Sequence, residues 1–378
     1  MRSSLLQTIQ SPLDPEVINL GIGNPQLEHL PLEMLQRAVG ACFGRGERDF
    51  LQYGFEAGHG GFRLALANFL SRGYRIDVSP DELFVTSGIS AALDLICTLF
   101  TQPGQEVWVE EPSYFLALRI FRDHHLKAVS IPVDNDGLQV DILEKKLKHG
   151  RPAFLYTVPE YQNPSGVTLS AERRLRLAAL SQEYELLVVA DEVYYLLGFA
   201  SPPPPLAASQ EGRILSLGSF SKILAPGLRL GWVQADKDFI CRLSASGVLD
   251  SGGGMNPFAS AVIREALENG WVQENVEHLR WIYRRRSAVM ETALRSFLPS
   301  LEFTSPQGGY FYWVRLPDGV DAEELLSAAR RHKVSFQPGV RFSSQGGLRD
   351  YIRLCFACYA ENELEEGIRR LKASLDAL

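Results

Sequence analysis

The sequence predicts an α/β protein: a large domain on a mostly parallel seven-stranded sheet flanked by helices, then a smaller α+β domain. Three observations carry this. From about residue 83, short Val/Leu-rich runs alternate with helical stretches, the pattern of a sheet covered on both faces. Past about residue 258 the texture changes to a long charged helical region followed by alternating strands. A length of 378 residues suggests two domains, or three, at roughly 100–200 residues each.

In chain order, ELFVTSG reads as a strand and SAALDLICTLF as the helix after it. EVWVEEP precedes a helical run from Ser113 to Phe121, and PAFLYTVP precedes the amphipathic stretch from Ala171 to Tyr184. LLVVAD, RILSLGSF and LRLGWVQA complete the large-domain series. The helical region from Ala259 to Leu298, broken near Gly270, leads into GGYFYWVRL and YIRLCFACY. The expected organisation is an N-terminal segment (1–40) packing with the small domain, a large domain (41–260) and a small C-terminal domain (261–378).

Composition narrows the function. Apolar residues at 46% and charged residues at 22% are ordinary for a globular protein. The 45 acidic residues outnumber the 38 basic ones, which argues against a dedicated nucleic-acid binder. No apolar run approaches the ~18 residues of a bilayer span. The first twenty residues contain Asp14 and Glu16 and lack the apolar core of a signal peptide. The five cysteines make no disulfide framework in a chain this long, and a cytoplasmic protein is expected. Ser201 to Pro205 reads as a short stiff loop.

Four chemistries offer themselves. Gly88-Ile89-Ser90-Ala91-Ala92 follows a strand like a nucleophile elbow, but Ala92 replaces the final Gly and no Asp-then-His order follows. Ser219-Phe220-Ser221-Lys222 matches S-x-x-K, yet no K-T-G lies downstream. Cys355 and Cys358 sit at opposite phases of an alternating strand, so no metal site is expected of them. The fourth is pyridoxal phosphate chemistry, which needs a lysine amine, a carboxylate for the ring nitrogen, phosphate donors and a planar group. In a parallel sheet these come from the carboxyl ends of strands. Asp191 ends LLVVAD, Lys222 follows RILSLGSFS, and Asn163 lies just past PAFLYTVP.

Six pieces in order sharpen that reading: Tyr53-Gly54, Thr86-Ser87-Gly88, Glu110-Glu111-Pro112-Ser113-Tyr114, Tyr161 through Gly166, Asp191-Glu192-Val193-Tyr194, and Ser219 to Lys222 with Gly227 to Gly231. Over about Gly21 to Arg353 the chain resembles the fold-type I, class I/II pyridoxal-phosphate-dependent aminotransferases, in particular the α-aminoadipate/kynurenine branch.

The resemblance implies roles. Lys222 is similar to the lysine that holds pyridoxal 5′-phosphate as an internal aldimine and shuttles the α-proton. Asp191 resembles the carboxylate paired with the pyridine nitrogen, although an Asp ending a strand also serves as a helix N-cap. Asn163 and Tyr194 match the donors to the phenolic oxygen. Gly88, Ile89 and Ser90 open a helix whose backbone N–H groups suit a phosphate. Ser219, Ser221 and Arg229 match its side-chain ligands. Ser90 stands where the branch often has Gln, so backbone contact is expected there before the side chain. Tyr114 resembles the aromatic stacked on the ring. Tyr53 resembles a tyrosine reaching the neighbouring subunit's phosphate, which implies a homodimer. Arg353 resembles the grip on the substrate α-carboxylate, with Asn163 and Gly23 also at the substrate.

The implied function is ping-pong transfer of an amino group between an L-amino acid and a 2-oxo acid, with no metal, membrane or nucleic acid involved. The same residues support β-elimination by a C–S lyase. A non-catalytic module of the kind fused to DNA-binding heads is disfavoured, because only about twenty residues precede Gly21. Gly252-Gly253-Gly254 is unusual for the family and reads as a flexible loop near the site.

Overall fold

The computed structural model describes residues 16–209 and 212–378, so the first fifteen residues of the expected N-terminal segment lie outside the described residues. In chain order the strands are β1 (Ile18–Asn19), β2 (Leu83–Thr86), β3 (Glu106–Glu111), β4 (Lys127–Asp134), β5 (Gly137–Leu138), β6 (Phe154–Thr157), β7 (Leu187–Asp191), β8 (Arg213–Ser219), β9 (Gly231–Gln234), β10 (Glu302–Phe303), β11 (Phe311–Arg315), β12 (Val334–Ser335), β13 (Gln337–Pro338) and β14 (Tyr351–Cys355).

The large sheet runs β2-β9-β8-β7-β6-β3-β4-β5. It therefore has eight strands where seven were expected. Of the two strands not named from the sequence, β5 is a two-residue antiparallel return against the end of β4, too short to leave a periodic trace. β4 also lacks the apolar signature of its neighbours, because it runs near an edge and only Ile131 of its eight residues is buried. The inner strands β6 and β7 are buried at every residue, as strands covered on both faces must be. Phe121, on the covering helix Phe115–Asp123, packs edge-on against Phe154 and Tyr156 at 5.5 Å.

One antiparallel strand shapes the site. β3, β6, β7 and β8 are parallel, so their carboxyl ends share one edge. β9 runs the other way between β2 and β8, with Gly231 paired to both Thr86 and Ser219. The end of β2, the end of β8 and the start of β9 therefore meet at one point.

The small sheet, β10-β11-β14-β13, is antiparallel and sets Arg353 beside Trp313 and Gln337. β1 pairs in parallel with β12, and Leu20 O accepts from Cys355 N at 2.6 Å, so residues 18–21 run along the small sheet. The helix Leu32–Gly44 packs on Pro257–Glu268. Gly270, at φ 78°, separates Pro257–Glu268 from Trp271–Phe297, which packs on Glu361–Asp376. Cys355 ends β14 and Cys358 lies in the turn beyond it. Among the described residues no three His, Cys, Asp or Glu side chains group as metal ligands would, and no helix is long and apolar enough to cross a membrane.

The glycine triplet is a close-packed turn rather than a flexible loop. Gly253 and Gly254 follow the short helix Gly247–Gly252 with φ of 66° and 85°, where L side chains are strained. They press on the chain at Tyr53–Phe55: a Cβ on Gly254 would fall 1.9 Å from Phe55 O, and one on Gly253 would fall 2.8 Å from Tyr53 Cβ. Gly254→Ala is therefore expected to destabilise the fold by about 1–3 kcal/mol, read as a lowered urea midpoint. An unchanged midpoint would contradict this packing.

Candidate active site

A cavity of about 580 Å³ opens at the carboxyl edge of the large sheet, roofed by β11, β14 and the segment at Gly23. It is lined by Gly23, Ile89, Ser90, Tyr114, Asn163, Asp191, Tyr194, Ser219, Ser221, Lys222, Arg229 and Arg353. Of the residues expected at the site, only Gly88 and Tyr53 are outside this lining. Gly88 directly precedes Ile89, which does line it. Tyr53 is 79% exposed and lines a separate, smaller pocket beside Gly54.

The phosphate-type cradle forms where β2, β8 and β9 meet. Gly88 precedes the helix Ile89–Phe100, whose N-terminus carries no side-chain cap, leaving its first N–H groups free for an anion. Gly88 has φ 87°, and a Cβ there would lie 2.8 Å from Arg229 Nη2, so a side chain would displace the guanidinium. Arg229 donates from Nη2 to Ser87 O and from Nη1 to Pro226 O, both at 3.2 Å. Its own left-handed turn, φ 47°, is held by Asn256 Nδ2, which donates to Leu228 O at 3.0 Å. Ser219 Oγ donates to Ser221 Oγ at 2.9 Å and accepts from Ser221 N at 3.1 Å. Ser90 is exposed at the mouth.

Lys222 follows this cradle. Its amine donates to Gly23 O at 2.7 Å and lies 5.5 Å from the Tyr310 ring centroid. Burial lowers its pKa to about 8, with Arg353 and Arg229 acting the same way against the pull of Cys355 and Asp191. Tyr310 donates its hydroxyl to Lys222 O at 3.0 Å, fixing the backbone from which the lysine projects.

Asp191 is 4% exposed at the end of β7. Tyr156 donates to its Oδ2 at 2.8 Å, while its Oδ1 is buried without a partner. Burial raises its pKa to about 6, opposed chiefly by the hydrogen bond from Tyr156. Tyr194 packs against Tyr310 and Phe311, with ring centroids 5.4 and 5.9 Å away. Burial raises the Tyr114 hydroxyl to about 12.

Arg353 is 3% exposed. It donates from Nη1 to Asn163 Oδ1 at 2.8 Å and from Nη2 to Gly21 O at 2.7 Å. Phe311 and Phe342 lie 4.0 and 5.0 Å from its guanidinium carbon, and its Nε has no partner. Burial lowers its pKa to about 10, within the charged range at neutral pH. The Asn163 loop is anchored by Gln162, which donates from Nε2 to Pro112 O at 2.6 Å and to Glu110 at 3.0 Å. Burial lifts Glu110 to about 7.

Sequence reasoning missed Tyr156, Tyr310, Phe311 and Phe342. Tyr156 reaches Asp191 only because β6 and β7 are neighbours in register, and nothing in PAFLYTVP marks it. GGYFYWVRL showed the aromatic density of β11 but not which ring faces Lys222.

Comparison with known proteins agrees with this geometry. The model of the aminotransferase class I and II family matches residues 15–371. Aromatic-amino-acid aminotransferase 1 of Thermococcus litoralis is 36% identical over 95% of this chain and 88% of its own length. The multiple substrate aminotransferase of Thermococcus profundus superposes with a TM-score of 0.91 at 34% identity, over 97% of this chain and 92% of that one. The kynurenine aminotransferase of Pyrococcus horikoshii, solved with PMP, KYN and KYA, gives 0.90 at 34%, over 96% and 91%. The chain belongs to the aminotransferase class I and II family and is a pyridoxal-phosphate-dependent transaminase of fold type I.

Proposed function

We propose that this cavity holds pyridoxal 5′-phosphate and moves an amino group between an L-amino acid and a 2-oxo acid through the residues described above. One observation carries the assignment of roles: the cavity contains a buried acceptor and a buried donor, Asp191 Oδ1 and Arg353 Nε, each without a protein partner. Native interiors rarely leave such atoms unpaired. A cationic ring N–H satisfies the first, and a carboxylate satisfies the second.

Asp191 would hold the ring nitrogen, and Asn163 and Tyr194 the phenolic oxygen. Tyr114 would cover the ring face. The helix start at Gly88, Ile89 and Ser90, with Ser219, Ser221 and Arg229, would take the phosphate. Bound pyridoxal phosphate supplies an electron sink for the charge left when the Cα proton departs. Lys222 tethers the cofactor and, once free, carries that proton at Nζ; a pKa near 8 leaves part of the amine uncharged at neutral pH. Arg353 orients the substrate through its α-carboxylate, and the phenyl walls around it exclude water from the ion pair.

Arg353, Arg229 and Lys222 are the only basic side chains lining this cavity among the described residues; Arg229 belongs to the phosphate cradle and Lys222 to the cofactor tether. Phe115, Leu116 and Phe311 line it too. This composition favours donors with uncharged side chains, aromatic ones included, in keeping with the similarity to an aromatic-amino-acid aminotransferase. The working protein is a cytoplasmic homodimer in which Tyr53, exposed and braced by Gly253, reaches the partner's phosphate.

Borohydride reduction of the holoenzyme is expected to fix the cofactor on the peptide containing Lys222, and Lys222→Ala to slow the half-reaction by ~10³-fold or more. Loss of the cofactor absorbance on mixing with single amino acids reads that half-reaction. Labelling of another lysine would overturn the assignment. Sedimentation at assay concentration is expected to show a dimer; a fully active monomer would refute the role given to Tyr53.

A further inference from the structure

A second cavity, about 740 Å³ in volume, shares no residue with the first. It lies between the end of helix Gly60–Tyr74, the segment 195–204 and the helix Trp271–Phe297. Arg72, Arg75, Arg280 and Arg284 line it, and no acidic residue does among the described residues. The chain as a whole carries a net charge of -7, so this concentration of cations is local.

Among the described residues the four arginines also make no ion pair. Arg280 and Arg284 stand four apart on one helix, a spacing that sets like charges side by side and is mildly destabilising. Arg285 and Arg295 on the same helix have carboxylates, Glu361 at 2.9 Å and Glu291 at 2.8 Å. None of the four cleft arginines has an ion-pair partner among the described residues. Glu277 influences Arg280 without contact and is bonded to Gln273 at 2.9 Å. Arg280 spends its Nε–H on Leu196 O at 2.7 Å, and Arg72 its Nε–H on Asn68 O at 3.2 Å. A position in the last helical turn accounts for Arg72, through the helix dipole. It does not account for Arg280 and Arg284, which lie mid-helix.

The remaining wall supplies a ring face. Trp281 lines the cleft while 57% exposed, with the Arg285 guanidinium 4.7 Å from its ring centroid, whereas Tyr195 is buried against Tyr74. The volume falls within the range of small-ligand sites. We propose that this cleft binds a small organic polyphosphate of nucleotide size, its phosphates taken by the four guanidinium groups and its planar group laid against Trp281. Guanidinium forks match phosphate oxygens in bidentate pairs, and their planar cations combine readily with aromatic walls. A ligand there would bridge the segment following Tyr194 to helix Trp271–Phe297.

Isothermal titration of the cofactor-loaded enzyme tests this, with ADP, adenosine and an acidic peptide as probes. Saturable binding is expected for ADP, weakening with added salt, and none for adenosine or the peptide. The double variant Arg75→Gln, Arg284→Gln is expected to bind ADP at least ~10-fold more weakly while keeping its cofactor absorbance unchanged. No saturable ADP binding, equal binding by the double variant, or binding of the peptide in place of ADP would each overturn the proposal. So would ADP binding confined to cofactor-stripped protein, since that would place it in the catalytic phosphate cradle.

Discussion

Asp191 closes a strand buried at all five residues, and only one of its two oxygens is served. Leaving a buried acceptor unsatisfied costs about 1–3 kcal/mol, and more when it is charged. The fold accepts that cost at the floor of a cavity whose roof carries the opposite deficiency, the unpartnered Nε of Arg353. These two groups set the ends of the site. Between them a molecule must present a positive N–H below and an anion above, and the lysine amine, serines and helix start decide what else it carries.

The topology puts that molecule in place with few devices. Parallel strands bring Asn163, Asp191 and Lys222 to one edge, the usual place for a ligand in an open α/β sheet. The antiparallel β9 then folds the ends of β2 and β8 together, so that Gly88, Ser219 and Arg229 converge although they lie far apart in the chain. The small sheet contributes from above. Arg353 on β14 is tied to Asn163 on the large lobe and to Gly21 on the N-terminal segment, so one guanidinium fastens three parts of the chain around the substrate position.

Much of this was legible in the sequence because each of those residues ends or directly follows a run that can only be a buried strand. Asp191, the last residue of LLVVAD, and Lys222, next after RILSLGSFS, are examples. What could not be read depends on sideways neighbours. The hydroxyl of Tyr156 finds Asp191 across a strand pairing, and Tyr310 finds Lys222 from another sheet. β4 was invisible because an edge strand with one buried residue has no hydrophobic signature. The glycine triplet was misread as flexible because nothing in its composition reveals that Phe55 O would lie 1.9 Å from a side chain on Gly254. The arginines of the second cavity come from the end of one helix and the middle of another about 200 residues on, and only the fold assembles them.

The claim that Asp191 is kept for a cationic ligand at the expense of stability has a direct test in the cofactor-free protein. Its folded-state pKa, about 6, stands above the unfolded value of 3.8. Its contribution to stability is therefore full below about pH 4 and is lost as the pH rises through 6, a difference on the order of 3 kcal/mol. Denaturant unfolding of Asp191→Asn beside the parent should find the variant more stable at about pH 7.5, with the gap closing as the pH falls through 6. With cofactor loaded the order should reverse. A variant no more stable than the parent at neutral pH, or a gap that does not change with pH, would contradict the account.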